Sequence, residues 1–324
     1  MKKDKRKPEI NSRFIVYCLA GLILAAGLAY LLQSRKLYRQ SRVMMGTFVE
    51  VISPNRQAPN IVFNEIRRVE RLLSKYIADS EVSRLNQCGR SEVSLETMYI
   101  LRKSKEFWLI TEGKFDITVG PLLDLWGFSQ KKYRLPTEKQ INAVMPRIGS
   151  DKIIFQDESN LVKFKVPDMK IDLGGIAKGF VLDCAVKKLK ENGIKSCLIN
   201  AGGQVFCLGD RLGYPWVIAI QNPRDADQSD LLEIKNQAVA TSADYEQFFM
   251  IGNRRYSHIF DPKTGYPADS GVISVTVIAK DSLTADALST AIFILGKEKG
   301  LKLLKNFPEA KAMIIEANDV LEGY

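Results

Sequence analysis

His258 is the only histidine in the 324-residue chain, and it stands in the run Tyr256-Ser257-His258-Ile259-Phe260-Asp261-Pro262-Lys263-Thr264-Gly265. One imidazole cannot build a multi-histidine zinc site, so any chemistry must rest on carboxylates, hydroxyls, backbone groups and a hard metal. The pairs Asp261-Pro262 and Thr264-Gly265 are turn signals, compatible with a tight loop that carries an incidental histidine. An imidazole is also the side chain whose ordinary pKa lies nearest neutrality, which makes His258 the candidate general base, with Asp261 placed to orient it.

Three further segments carry chemistry at meaningful spacing. In Thr284-Ala285-Asp286-Ala287-Leu288-Ser289-Thr290-Ala291, Asp286 and Thr290 are four residues apart and share one helix face. A carboxylate and a hydroxyl so placed suit a hard cation, most simply magnesium holding substrate phosphates. The plainer alternative makes Asp286 a first-turn acid favoured by the helix dipole, with Ser282 or Thr284 as the cap. In Lys170-Ile171-Asp172-Leu173-Gly174-Gly175-Ile176-Ala177-Lys178-Gly179, a strand ending in Asp172 runs through two glycines into a helix. That pattern fits a phosphate-binding entry or, equally, a helix capped by Asp172 with Lys178 in solvent. Asn200-Ala201-Gly202-Gly203-Gln204 breaks a strand, as a hairpin turn or as a close backbone approach to a ligand.

These segments need elements to hold them. Helical periodicity marks 61–74, about 95–111, the stretch after Pro136, 176–191 closed by Gly193, and 283–295 closed by Gly296. Strand-like runs mark 47–52, 153–155, 161–166, 196–200, 204–208, 216–221, 246–251 and 272–279. Strands crowd the second half with few helices between them, so the expected class is α+β: a single soluble domain over 43–324, mainly antiparallel sheet with packed helices. No Gly-x-Gly-x-x-Gly or Walker-type motif occurs, which argues against a doubly wound dinucleotide fold.

The net charge of +10 is concentrated at the start, where residues 1–42 hold ten basic residues against two acidic ones. The rest is nearly neutral, which excludes a nucleic-acid footprint on the folded domain. Between the basic flanks, Phe14 to Leu32 is a nineteen-residue run without charge. It is expected to be a single transmembrane anchor at 14–32, preceded by a basic cytoplasmic N-terminus at 1–13 and followed by a tether at 33–42. Six basic residues before the span against four after it place the domain outside the cytoplasm of a bacterial cell. Cleavage after Ala29 is the alternative, whereas a lipid anchor on Cys18 is disfavoured by bulky Tyr17 before it. The five cysteines show no Cys-x-x-Cys spacing and read as small buried hydrophobes.

Taken in order, the motifs resemble those of the ApbE family of FAD:protein FMN transferases. They are Met44-Met45-Gly46-Thr47, Ser80 to Asn86, Phe115 to Pro121, Leu125-Trp126-Gly127-Phe128, Asp172 to Gly179, Asn200 to Gly203, Ala240-Thr241-Ser242, His258 to Gly265 and Thr284 to Ala291. The resemblance implies an enzyme that takes FAD as substrate with Mg2+, and transfers FMN to a Ser or Thr hydroxyl of an acceptor flavoprotein, releasing AMP. The acceptor pattern it implies is Asp-x-x-Ser/Thr-Gly-Ala-Ser/Thr. By position, Met45, Tyr76, Trp126, Gly127, Phe128, Asp172, Lys178, His258 and Ile259 correspond to FAD contacts. The Gly175 carbonyl, Asp286 and Thr290 correspond to the metal site, and His258 with Asp286 to the catalytic pair. Gly175 and Ala243 depart from the family, which usually carries a small residue such as Ala at the first and often Gly at the second. An FAD pyrophosphatase and a tethered flavin-binding module without chemistry are the rival readings.

Overall fold

In a computed structural model, the described residues are 36–221 and 229–317. The chain enters through an antiparallel hairpin, β1 (Tyr38–Met44) and β2 (Thr47–Ser53), followed by helix α1 (Ala58–Leu73). Next come α2 (Glu81–Cys88), β3 (Arg90–Glu92), α3 (Leu95–Ile110), α4 (Gly120–Leu125), α5 (Glu138–Val144), β4 (Ile153–Gln156) and β5 (Leu161–Phe164). The second half holds α6 (Ala177–Glu191), β6 (Cys197–Ala201), β7 (Gln204–Leu208), β8 (Trp216–Gln221), β9 (Ser229–Ile234), β10 (Gln237–Ala243), β11 (Phe248–Ile251) and β12 (Arg254–Ser257). It closes with β13 (Val272–Ala279), α7 (Ser282–Leu295), α8 (Lys297–Leu304) and β14 (Lys311–Glu316).

Seven strands form one antiparallel sheet in the order β1-β2-β6-β7-β10-β13-β14. Helices α1, α6 and α7 bury Val62, Ile66, Leu182, Ala185, Leu288 and Ile292 against one face. The β8–β9 hairpin covers part of the other face with Trp216 and Ile234, over Leu198, Val205 and Cys207. A separate aromatic cluster around Trp126, Phe128, Phe249 and Phe260 joins α4 to the β11–β12 hairpin. The expected α+β class and antiparallel pairing therefore hold.

Strand β1 begins at Tyr38, ahead of the expected boundary at 43 and inside the stretch read as tether. Its residues 39–43 are exposed, so the strand lacks a buried alternating face and leaves no hydrophobic signal. The proposed span at 14–32 lies outside the described residues, and among those residues no helix is long and apolar enough to cross a membrane. Cys197 and Cys207 are buried as expected, but Cys88 is exposed, and all four described cysteines are free.

Candidate active site

Asp286 owes its position to a close crossing of two helices. Helix α7 is buried almost all round, and Ala285, Ala287 and Ala291 let neighbouring elements approach its axis. At the crossing stands Gly179 of α6, where a Cβ would lie only 2.2 Å from the Ser282 carbonyl oxygen. The approach lets the Gly179 N–H donate to the Asp286 carboxylate at 2.9 Å. The start of α7 is held by two acids. Asp281 caps it by accepting from the Thr284 N–H at 2.8 Å, where Ser282 or Thr284 was expected to cap. Asp183 accepts from the Ser282 and Leu283 N–H groups at 2.8 and 2.9 Å. Burial pushes Asp183 up to about 6, against the pull of those two N–H groups.

Asp286 is 2% exposed. Burial raises its carboxyl above the usual range, opposed by the Lys178 charge, the Gly179 N–H and the Gln204 side chain. One turn further on, the Thr290 hydroxyl lies 3.2 Å from that of Ser242, which in turn meets Ser289 at 2.8 Å. A Cβ on Gly175 would sit 3.1 Å from Thr290 Oγ1, so the glycine backbone abuts that hydroxyl. Nearby Gln204 buries an Oε1 that has no hydrogen-bond partner among the described residues. A buried carboxylate and a hydroxyl one turn apart, beside the Gly175 main chain, are oxygen donors of the kind a hard cation such as Mg2+ takes. They are not a cluster of three acidic or imidazole ligands; among the described residues there is none.

Asp286, Thr290 and Gly175 line one side of a cavity of about 1090 Å³. Lys178, Asp172, Met45, Tyr76, Phe128, His258 and Ile259 line it as well, so ten of the predicted positions share one concavity. Gly202 of the β6–β7 turn also reaches it, while Asn200 Oδ1 braces that turn by accepting from the Gly203 N–H at 3.0 Å. The segment is thus a hairpin turn and a cavity wall at once.

His258 is half-buried and follows β12. Its Nδ1 lies 3.1 Å from the Gln247 carbonyl oxygen, which also accepts its backbone N–H at 3.0 Å. A carbonyl only accepts, so Nδ1 carries the proton and Nε2 keeps its lone pair. Burial pulls the imidazole down to about 4, with the Lys178 charge adding to the drop and the Gln247 bond opposing it. The expected Asp261–His258 pairing is absent: Asp261 Oδ2 binds Lys114 Nζ at 2.5 Å, and Oδ1 accepts from the Lys263 N–H at 3.0 Å. A main-chain carbonyl orients the imidazole, and Asp261 shapes the turn behind it.

Trp126 and Gly127 do not reach the cavity. Trp126 is fully buried, donates from Nε1 to the Gly265 carbonyl at 3.1 Å, and packs among Phe249, Tyr256, Phe260 and Tyr266 at ring separations of 5.7–6.4 Å. Gly127 has φ +83°, and a Cβ there would lie 1.9 Å from the Lys132 carbonyl oxygen. Both form the layer behind Phe128, the member of the motif that does line the wall. The Asp172 cap also fails, since the N-cap of α6 is Ile176 and no side chain caps the helix. Asp172 instead accepts the Gly174 N–H at 2.7 Å and pairs with Lys75 at 2.6 Å.

Sequence reasoning missed Lys75, Gln204, Asp183 and Glu246. Glu246 lines the cavity, where desolvation of its carboxyl and the nearby Asp286 charge raise its pKa against the pull of Lys178. Each of the four acts on a residue far away in sequence, so no local spacing betrays it.

The sequence profile of the ApbE family matches residues 45–314. A FAD:protein FMN transferase of Vibrio cholerae is 35% identical over 267 residues, covering 80% of this chain and 79% of its own length. One from Haemophilus influenzae is 34% identical, with 78% and 77% covered. The crystal structure of the ApbE protein of Thermotoga maritima superposes with a TM-score of 0.81 at 36% identity, over 87% of this chain and 95% of its own. The flavin transferase ApbE of Vibrio cholerae gives 0.78 at 31% identity, over 87% and 94%. With the profile spanning most of the chain and these relatives matched over most of their length, the chain belongs to the ApbE family.

Proposed function

We propose that this protein is a transferase that moves FMN from FAD to an acceptor protein. The observation that carries the reading is the meeting of His258 with the Gly175–Asp286–Thr290 oxygen set in one cavity, in a chain matched over most of its length by FAD:protein FMN transferases. The acceptor's Ser or Thr oxygen attacks the FMN-side phosphorus. A phosphoester bond forms, the pyrophosphate P–O bond breaks, and AMP leaves with the bridging oxygen. The hydroxyl proton passes to His258 Nε2, the lone pair left open when Nδ1–H donates to the Gln247 carbonyl.

Asp286, Thr290 and the Gly175 carbonyl would hold Mg2+, which when bound neutralises phosphate charge. Lys178 brings a second positive charge to the same wall, and Met45, Tyr76, Phe128, Asp172 and Ile259 form the bed for FAD. Positioning and electrostatics supply most of the rate in such a transfer. The apolar run at 14–32 anchors the enzyme in a bacterial membrane by a single pass, with the catalytic domain outside the cytoplasm; its length and basic flanks support this. The acceptor is a flavoprotein carrying an Asp-x-x-Ser/Thr-Gly-Ala-Ser/Thr-like motif.

The test is intact-mass spectrometry of an acceptor domain bearing that motif, incubated with the full chain, FAD and Mg2+. The expected result is a mass gain of one FMN with AMP released. FMN and AMP free in solution, with the acceptor unmodified, would replace the transferase by a pyrophosphatase.

A further inference from the structure

Lys75 lines the cavity and lies outside every motif of the chain. It follows α1 directly, and its ammonium meets Asp172 Oδ2 at 2.6 Å. Both side chains are largely enclosed, 19% and 14% exposed. The backbone at each end is tied down. The Ser74 carbonyl accepts the Ser80 hydroxyl at 2.6 Å, and the Tyr76 N–H donates to Ser74 Oγ at 3.3 Å. On the other side the Asp172 N–H donates to the Ile117 carbonyl at 2.7 Å, while Asn86 brackets Ile171 through its N–H and its carbonyl at 2.7 and 3.0 Å. The pair is therefore a fixed strut between the α1–α2 loop and the loop that leads through Gly174 and Gly175 into α6. Burial is the largest single influence and lowers the Lys75 pKa, but the Asp172 charge and hydrogen bond, with Tyr76 adding to them, together outweigh it, so the ammonium stays charged.

The same ammonium lies 5.0 Å from the centroid of the Tyr76 ring, over its face. Tyr76 lines the cavity yet is 74% exposed, so its ring is an aromatic surface at the rim with a cation against one face and solvent elsewhere. A ring held in this way loses little further freedom when a flat ligand stacks on it.

We propose that Lys75 is a positioning residue for the flavin half of the substrate: braced by Asp172, its ammonium holds the Tyr76 ring so that the ring's open face stacks the isoalloxazine. The proposal rests on the reading that FAD fills this cavity. Lys75 acts on the ring and leaves the phosphates to the Lys178 and Asp286 side.

The experiment is equilibrium binding of FAD and, separately, of ADP to the full chain without acceptor or Mg2+, so that no turnover intervenes. Flavin fluorescence follows FAD, and calorimetry follows ADP. Lys75→Met should weaken FAD about tenfold, the scale of one cation–π contact, and leave the bound flavin less quenched. ADP affinity should stay unchanged, and Lys75→Arg should restore FAD binding. Asp172→Asn should weaken FAD in the same sense, with the double variant no worse than the weaker single one. Lys75→Met binding FAD as tightly as the unaltered chain would overturn the proposal alone. Equal losses for FAD and ADP would also overturn it, since Lys75 would then serve the phosphates or the cavity as a whole. An unaltered chain that binds no FAD would overturn the reading beneath it.

Discussion

Asp286 stands on a helix buried almost all round, fixed by a neighbouring backbone N–H across a crossing that only glycine permits. His258 stands at the end of a short exposed hairpin, fixed by one carbonyl and backed by a layer of stacked rings. The first wall is an extension of the main core, the second a separate cluster outside the seven-stranded sheet. The contrast suits the proposed chemistry, in which the carboxylate would hold charge in a place that resists relaxation and His258 would accept and return a proton beside a protein acceptor. If so, damage to either wall should be recognisable by kind as well as size.

Replacing the base is expected to have the largest effect. His258→Ala should lower transfer by about 10²–10⁴-fold while FAD still binds, as loss of a general base does. Stopped-flow transfer beside an FAD titration checks this, and undiminished transfer would remove His258 from the mechanism. On the other wall, Asp286→Ala should lower transfer by about 10²–10³-fold, the scale of several kcal/mol of phosphate-charge stabilisation. It should also abolish the response to added Mg2+; full turnover at low Mg2+ would contradict the metal assignment.

Two variants separate the walls structurally. Gly179→Ala puts a Cβ 2.2 Å from the Ser282 carbonyl oxygen, so α6 and α7 must part. Overpacking of this kind costs about 1–3 kcal/mol, and thermal unfolding should show it together with a loss of Mg2+ affinity. Trp126→Phe leaves the Gly265 carbonyl without its indole donor and opens a gap in the ring layer. The expected cost is again about 1–3 kcal/mol, but with Mg2+ affinity intact and kcat lowered through the loosened His258 loop. Coupled losses of Mg2+ affinity in Trp126→Phe would mean that the walls are one mechanical unit.

The two walls were also unequally legible in the sequence. Helix α7, capped at its end by Gly296, and the Asp286–Thr290 pair follow from local periodicity, because the whole arrangement sits on one element. Around His258, the turn signals are visible, but the partner of Nδ1 is a main-chain oxygen, which no residue type announces. Trp126 looks like a ligand contact by motif, whereas its buried indole donates to Gly265 far along the chain, a partner that no local spacing announces. Strand β10 escaped notice for a related reason. Its small residues Ala238, Ala240, Ser242 and Ala243 are buried beside α7, a packing that favours small size over the β-branched bulk by which strands are read.

The smallest expected effect, and the sharpest on how the second wall sets its base, lies in pH. With the imidazole pulled down to about 4, His258 is neutral throughout the physiological range, and the acid limb of kcat/KM in the free enzyme should fall near pH 4 rather than 6.5. Between about pH 4 and 6.5 the native protein binds fewer protons at this site than the unfolded chain, so His258 costs stability progressively as pH falls through that window. Asp183, pushed up to about 6, has the opposite sign: there the native protein binds more protons between 3.8 and about 6, and stability grows as pH falls. The two slopes largely oppose in the unaltered chain. Thermal unfolding of His258→Ala from pH 7 to 4 should therefore gain on the unaltered chain as pH drops, and Asp183→Asn should lose ground. An acid limb at 6.5 with no such divergence would mean that water reaches the imidazole freely, and that the ring layer behind His258 supports the loop without enclosing the base.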